Sequence, residues 1–268
     1  MSGERIIPEE IKSQAEYFIY LKEVFVYDWC GKFISKDSLC LDLGCGDGYG
    51  TKMLALSARE VIGIDKNKNV INNASDKYGG DNCSFKYYNG KIIPFPSNTF
   101  DIVFSFHVIE HVRNDLNFIS ESYRVLKNNG IFILTTPNKI LRLPNNIAPW
   151  NVFHIREYEP RELKILLEKK FKEVEILGIS AVSDVKKIEE ERIRKNVRIV
   201  SYDYLNLRRL LPVSITSVFV KVLRSLGSYR NEPHQKFIPA ANDRYSLIYR
   251  IEELDPENSL DILGVGKK

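Results

Sequence analysis

Apolar residues recur at Phe18, Leu21, Phe25 and Trp29, every three or four positions, and predict a helix over Pro8–Ile34 with Gly31 near its end. The pattern then changes period. "SLCLDL" reads as a first strand, a short helix follows over Tyr49–Ser57, and "EVIGID" reads as a second strand. "NKNVINNASDKYG" predicts a helix stopped by Gly79 and Gly80. "CSFKYYNG" and "FDIVFSF" are the third and fourth strands, "DLNFISESYRVLKNNG" is a periodic helix with a glycine stop, and "IFILTTPN" is a nearly continuous apolar fifth strand.

After Asn138 the alternation goes on with variation. "EPRELKILLEKK" is helical with Pro160 in its first turn, "FKEVEILGIS" is a sixth strand and "LDILGVGKK" a seventh. Strands alternating with helices at this spacing imply an α/β, doubly wound, mostly parallel sheet covered on both faces. Residues 181–245 do not repeat the alternation and read as a mainly helical insertion. The expected division is therefore a core of 1–180 and 246–268 with a cap of 181–245.

Composition changes this picture little. With 268 residues, 44% hydrophobic and 28% charged, the chain is neither disordered nor fibrous, and no stretch approaches the ~18 apolar residues of a membrane span. The opening "MSGERIIPEE" lacks the layout of a signal peptide, which sets the expectation of a cytoplasmic protein. Cys30, Cys40, Cys45 and Cys83 form no C-x-x-C pair and read as reduced thiols without zinc. The net charge of +4 is unevenly spread: Lys186–Arg230 carries eleven Lys or Arg against four acids. That excess suits an anionic acceptor or lipid headgroups, and equally a solvated helix face.

The densest chemistry lies in "LCLDLGCGDGYGT". A dinucleotide fold spaces its glycines G-x-G-x-x-G so that a helix can pack close above pyrophosphate. Here Gly44, Gly46 and Gly48 give G-x-G-x-G, and the third dinucleotide position holds Tyr49. The bulk of Tyr49 argues against pyrophosphate, and with it against an NAD-linked oxidoreductase, while the turn still lets backbone approach a ligand closely.

"LDLGCGDGYG" resembles the first motif of class I S-adenosylmethionine (SAM) dependent methyltransferases. "VIGIDKN", "NGKIIPFPSNTFDIVFSFHVIEHV", "TTPN" and "FHIREYEPREL" follow in the order that family shows them. The resemblance implies a Rossmann-like sheet whose last strand is antiparallel, with SAM as cofactor beyond the first strand. It implies that Asp65 takes the ribose hydroxyls and that Asn89, where the family usually has Asp, contacts adenine. It also implies that Asp42, Cys45, Lys66, Gly90 and Phe106 complete the pocket with the glycines. Tyr17 and Tyr20 lie on the N-terminal helix, which in that family folds over the cofactor; as plain core aromatics they are equally accounted for.

Methyl transfer to a hydroxyl gains from a base that removes the proton, and histidine suits that task near neutral pH. His107 and His111 stand four apart after the fourth strand, as on one face of a helical turn, and His154 follows the fifth. His111 is the first candidate for the base, His154 the second, with His107 beside them. The leading reading assigns no metal. A sharper one takes His107, Glu110, His111 and His154 together, because small-RNA and ubiquinone-pathway methyltransferases carry a related E-x-x-E-H with a later His that is associated with a divalent metal.

"LRRLLPVSITSVFVKVLRSL" sets Arg208, Arg209, Lys221 and Arg224 among apolar residues, as in a substrate lid or a peripheral membrane contact. The expected activity is O-methylation of a small molecule, with a sugar or lipid-linked glycan as the family-level hint. A metal-assisted RNA 2′-O-methyltransferase and a non-catalytic SAM-binding protein are the alternatives. No aromatic-basic RNA motif supports a nucleic-acid partner, and nothing in the sequence fixes the oligomeric state.

Overall fold

A computed structural model describes residues 7–143, 149–151, 153–201, 245–255 and 258–268. The basic stretch around Arg208, Arg209, Lys221 and Arg224, and with it most of the expected insertion, lies outside the described residues.

One mixed sheet organises the chain. Its strands are β1 (Leu39–Leu43), β2 (Glu60–Asp65), β3 (Cys83–Tyr87), β4 (Phe100–Phe106), β5 (Leu126–Pro137), β6 (Glu173–Ala181), β7 (Tyr249–Glu253) and β8 (Asp261–Lys267), in the order β3-β2-β1-β4-β5-β8-β6-β7. β1 pairs in parallel with β2 and β4, β2 with β3, and β4 with β5. β8 runs antiparallel between β5 and β6. The seven expected strands are all present. The sheet has eight strands rather than seven, because Tyr249–Glu253 adds an antiparallel edge strand on β6. "YRIEE" is short and three of its five residues are charged, as suits an edge strand, so hydrophobic patterning gives it no signal.

The central strands read as continuous apolar runs because both faces are covered, and successive side chains enter different layers. Cys40, Phe104, Ile133 and Leu263 face one layer with Leu21, Phe25 and Leu54 from α1 (Gln14–Cys30) and α2 (Tyr49–Ala55). Leu41, Val103, Phe132 and Ile262 face the other, with Phe118 and Ile119 from α4 (Asp115–Val125) and Leu163 and Leu167 from α6 (Pro160–Glu168). The remaining helices are α3 (Lys68–Tyr78), α5 (Lys139–Arg142), α7 (Ser183–Ser201) and the single turn α8 (Tyr245–Ile248).

Capping chemistry sets boundaries that periodicity misses. The expected helix from Pro8 is broken: a 3-10 turn at Pro8–Glu10 precedes α1, which begins where Ser13 and Glu16 form a reciprocal capping box. The expected helix up to Gly130 ends at Val125, since Leu126 pairs with Phe100 and Asn129 turns left-handed at φ +63° before the main run of β5. Gly79 does close α3, but at φ −57° rather than in the left-handed form. All four cysteines are buried thiols outside any disulfide, and among the described residues no helix is long and apolar enough to cross a membrane.

α2 sits unusually close to α1. A Cβ on Gly50 would lie 2.0 Å from Cζ of the Tyr27 ring, itself buried. Gly50→Ala is therefore expected to lower the free energy of unfolding by about 1–3 kcal/mol, read as a fall in the urea midpoint at unchanged slope.

Candidate active site

Strand order reverses between β1 and β4, the position where open α/β sheets bind ligands beyond the carboxyl ends of their strands. The turn after β1 is built for close approach. Gly44, Gly46 and Gly48 have φ of +87°, +53° and +91°, and the N–H groups of Gly44 and Cys45 both donate to the Ile64 carbonyl (2.7 and 3.1 Å). A Cβ on Gly44 would stand 2.3 Å from Val108 Cγ2, so this turn is packed directly onto the loop after β4.

Asp42 lies beneath the turn and is 1% exposed. Its Oδ2 accepts from the Thr51 hydroxyl (2.6 Å) and from the Tyr27 hydroxyl (3.4 Å), whereas its Oδ1 has no partner. Burial pushes this carboxyl up to about 7, against the two hydroxyls that favour its charged form; nearby Asp65 adds to the rise. Asp65 ends β2, buried, with Oδ1 accepting from the Asn67 N–H (2.8 Å). Lys66 is exposed beside Gly90, the Lys66 Cβ lying 3.8 Å from where a Gly90 Cβ would be.

Asn89 Oδ1 already accepts from the N–H groups of Lys91 (2.9 Å) and Ile92 (3.0 Å), so what this side chain has to offer adenine is its NH2. Phe106 packs edge-on against Tyr27 at 4.8 Å. Tyr17 is buried among core residues, while Tyr20 packs edge-on against Tyr49 at 5.4 Å.

The second half of the site follows β4. His107 does not share a helical face with His111, because it is left-handed at φ +54° and only Ile109–His111 forms a 3-10 turn. Its Nδ1 faces Glu110 Oε1 and its Nε2 faces Asp261 Oδ2, each at 3.4 Å, and Lys22 from α1 pairs with the same Asp261 oxygen. Burial would lower the affinity of His107 for its proton, but Asp261 and then Glu110 carry it up to about 10. Burial also works against ionised Glu110 and Asp261. The His107 imidazolium prevails and holds Glu110 at about 2, while Lys22 and His107 hold Asp261 well below the usual carboxylate range. His107 is thus a charged strut rather than a base.

His111 and His154 are brought together, with ring centroids 4.9 Å apart. His111 Nδ1 lies 3.0 Å from the Phe153 carbonyl, which can only accept, so Nδ1 donates and Nε2 is the basic atom of the neutral ring. His154 Nδ1 lies 2.7 Å from Glu157 Oε1. Glu110 stands against both rings: its carbonyl accepts from the Ile155 N–H (2.8 Å), its Oε2 accepts from the Thr136 hydroxyl (3.1 Å), and the ligand atoms of Glu110, His111 and His154 all fall within 4.8 Å of one another. Of the four residues first grouped as metal ligands, His107 is thus the one left out of the convergent set.

Comparison with known proteins identifies the family. Residues 41–134 match the model of a methyltransferase domain. The chain is 35% identical over 180 residues, covering 67% of it and 68% of the relative, to a protein of Mycolicibacterium smegmatis described as a "Probable S-adenosylmethionine-dependent methyltransferase". The chain belongs to the S-adenosylmethionine-dependent methyltransferases.

The methyltransferase spans about two thirds of the length of its mycobacterial relatives (68% and 64%). It is also 32% identical over 131 residues to the ubiquinone biosynthesis O-methyltransferase of Pelagibacter ubique, covering 46% of this chain and 53% of that one. The fold is shared with the crystal structure of the YcgJ protein of Bacillus subtilis, at a TM-score of 0.55 and 17% identity over 93% of this chain and 98% of that one.

The residues present fit the family's cofactor. A buried, unpartnered carboxylate oxygen at Asp42 and a turn of three left-handed glycines suit the charged amino-acid end, and the Asp65 carboxylate at the end of β2 suits the ribose diol. Glu157, Asp261 and Lys22 were not anticipated from the sequence. A signal for two of them exists in hindsight: Glu157 stands three residues after His154, and Asp261 is the lone acid of an apolar strand.

Asp65→Ala is expected to weaken binding of S-adenosylhomocysteine by about 100-fold in calorimetry. Asp42 gives a pH test. Its folded value of about 7 exceeds the ordinary 3.8, so the native state holds an extra proton in between, and the group's contribution to stability is complete below ~4 and lost as pH rises through ~7. Relative to Asp42→Asn, the wild type should lose up to about 1.4 kcal/mol per pH unit across that window in urea unfolding.

Proposed function

We propose that this methyltransferase transfers a methyl group to a hydroxyl of a small molecule, and that His154, held by Glu157, accepts the hydroxyl proton. The observation that carries this reading is the 2.7 Å contact between His154 Nδ1 and Glu157 Oε1, with His154 meeting His111 and Glu110 of the loop after β4. The cofactor supplies an electrophilic methyl on a sulfonium, so the protein's own task is alignment and proton removal. Alcohols hold their proton far more tightly than imidazolium does, and a positioned base answers that need. An acceptor that is already a free amine has no use for one.

Glu157 orients the ring and stabilises the imidazolium formed when the proton arrives. Sequence order alone favours His111; the carboxylate behind His154 reverses the ranking, and His111, bonded to a carbonyl, becomes the neighbour that shapes the pocket. The His107 imidazolium keeps Glu110 ionised against the two rings. Resemblance to an O-methyltransferase over part of the chain supports the same acceptor atom.

A second reading rests on the convergence of Glu110, His111 and His154 within 4.8 Å. Two imidazoles and one carboxylate suit Zn, Mn or Fe better than Mg, and both rings have their Nδ1 engaged by an acceptor, as metal-bound histidines usually do. Under that reading these three side chains hold the ion that lowers the acidity threshold of the hydroxyl.

His154→Ala is expected to leave S-adenosylhomocysteine affinity within twofold and to slow methyl transfer from labelled SAM by about 10²–10⁴. Dialysis against EDTA distinguishes the two readings: unchanged turnover supports the histidine base, and turnover lost on dialysis and restored by Mn2+ or Zn2+ supports the metal. Full activity of His154→Ala would overturn both.

A further inference from the structure

A second polar cluster adjoins His154 through Glu157. It joins the end of α5, Trp150, Glu157 and the first half of α7. The Arg142 guanidinium lies 4.4 Å from the centroid of the Trp150 ring and pairs through Nη2 with Glu157 Oε1 (3.3 Å), the same oxygen that meets His154. Arg192 lies 5.6 Å from the same ring and pairs with Glu189 (2.6 Å). Arg142, Trp150, Glu157 and Glu189 are 7%, 8%, 5% and 3% exposed.

Four atoms of this cluster are buried without any hydrogen-bond partner: Arg142 Nε, Trp150 Nε1, Glu157 Oε2 and Glu189 Oε1. They are four of the eight such side-chain atoms among the described residues, gathered along one chain of contacts. Buried polar groups are nearly always paired, so a concentration of unpaired ones beside a candidate base points to something that pairs them. Two of the atoms donate and two accept. The surrounding charges, two guanidinium groups and two carboxylates, cancel.

We infer that this cluster is the acceptor-recognition subsite of the methyltransferase, and that it takes a neutral polyhydroxylated ring of the sugar class. The inference rests on the hydroxyl-acceptor reading above. Sugar hydroxyls donate and accept at once, so one ring can give protons to Glu157 and Glu189 while receiving them from Arg142 and Trp150. An anionic ring would meet the two carboxylates, a cationic ring the two guanidinium groups, and an apolar ring would leave all four atoms unpaired. The anionic acceptor suggested by the basic tract between Lys186 and Arg230 is therefore not what this cluster selects. Glu157 serves both sites: one oxygen meets His154, and the other is left for the acceptor.

The test uses the full chain saturated with S-adenosylhomocysteine. Saturation-transfer NMR measures binding of neutral methyl pyranosides (gluco, galacto, manno and rhamno) against their uronate and amino counterparts. The expected result is that at least one neutral glycoside binds, at least tenfold more tightly than its charged counterparts. Trp150→Phe keeps the ring and removes the N–H, and Glu189→Gln keeps the shape and exchanges an acceptor oxygen for a donor. Each should weaken that glycoside at least fivefold with S-adenosylhomocysteine affinity unchanged, which also reports that the variants fold. His154→Ala should still bind it.

Equal or tighter binding of a uronate or amino sugar, or glycoside binding indifferent to both variants, overturns the subsite. So does methylation of a non-sugar hydroxyl while no glycoside binds, a result that leaves the hydroxyl-acceptor reading standing. Glycoside binding that follows the predicted pattern while the methyl reaches only nitrogen or carbon acceptors overturns the hydroxyl reading instead.

Discussion

Asp261 is a carboxylate at the start of the central antiparallel strand, 1% exposed, and burying such a charge is tolerable only where cations meet it. Lys22 comes to it from α1 and His107 from the loop after β4. Because His107 also meets Glu110, one chain of alternating charges ties α1, the last strand and the loop after β4 into a single unit. Removing any one member leaves a buried charge uncompensated, which typically costs about 3–5 kcal/mol. The network therefore fixes where α1 lies, and α1 in turn sends Tyr27 to Asp42 and Glu23 to Tyr49 on the cofactor side.

The glycine turn and the histidine cluster are thus built by different physical means. On the cofactor side the backbone does most of the work, with left-handed glycines that bring main chain close and a carboxyl poised near neutrality by burial. Around the histidines side chains dominate: a strut of opposite charges holds Glu110 ionised, two imidazoles meet edge to face, and Glu157 links the second of them to the Arg142–Trp150 cluster. Val108, packed under Gly44, is the hinge of contact between the halves.

The parts visible in the sequence were those with short-range signals. β1, β2, β4 and β5 announced themselves because strands covered on both faces read as apolar runs, and Gly44, Gly46 and Gly48 because that residue type accepts the left-handed turn. The end of α4 was hidden, since Leu126 keeps the helical period while its backbone joins the sheet opposite Phe100. Strand β7 was hidden for the opposite reason, being too polar to be noticed. In the site, the three histidines stood out by type, whereas their roles depended on partners far along the chain: Asp261 for His107, Phe153 for His111. Two partners lay within reach of a local pattern: Glu110, three residues after His107, and Glu157, three after His154.

The most direct test of this account is the rate of single-turnover methyl transfer as a function of pH in the wild type and in Glu157→Gln. If the pair formed by His154 and Glu157 removes the hydroxyl proton, the wild-type rate rises with pH to a plateau as the imidazole loses its proton. In the variant the plateau is lower, because the ring has lost the carboxylate that orients it and stabilises the imidazolium as the hydroxyl proton arrives. Rates that are flat with pH in both proteins, or profiles that coincide, would contradict it.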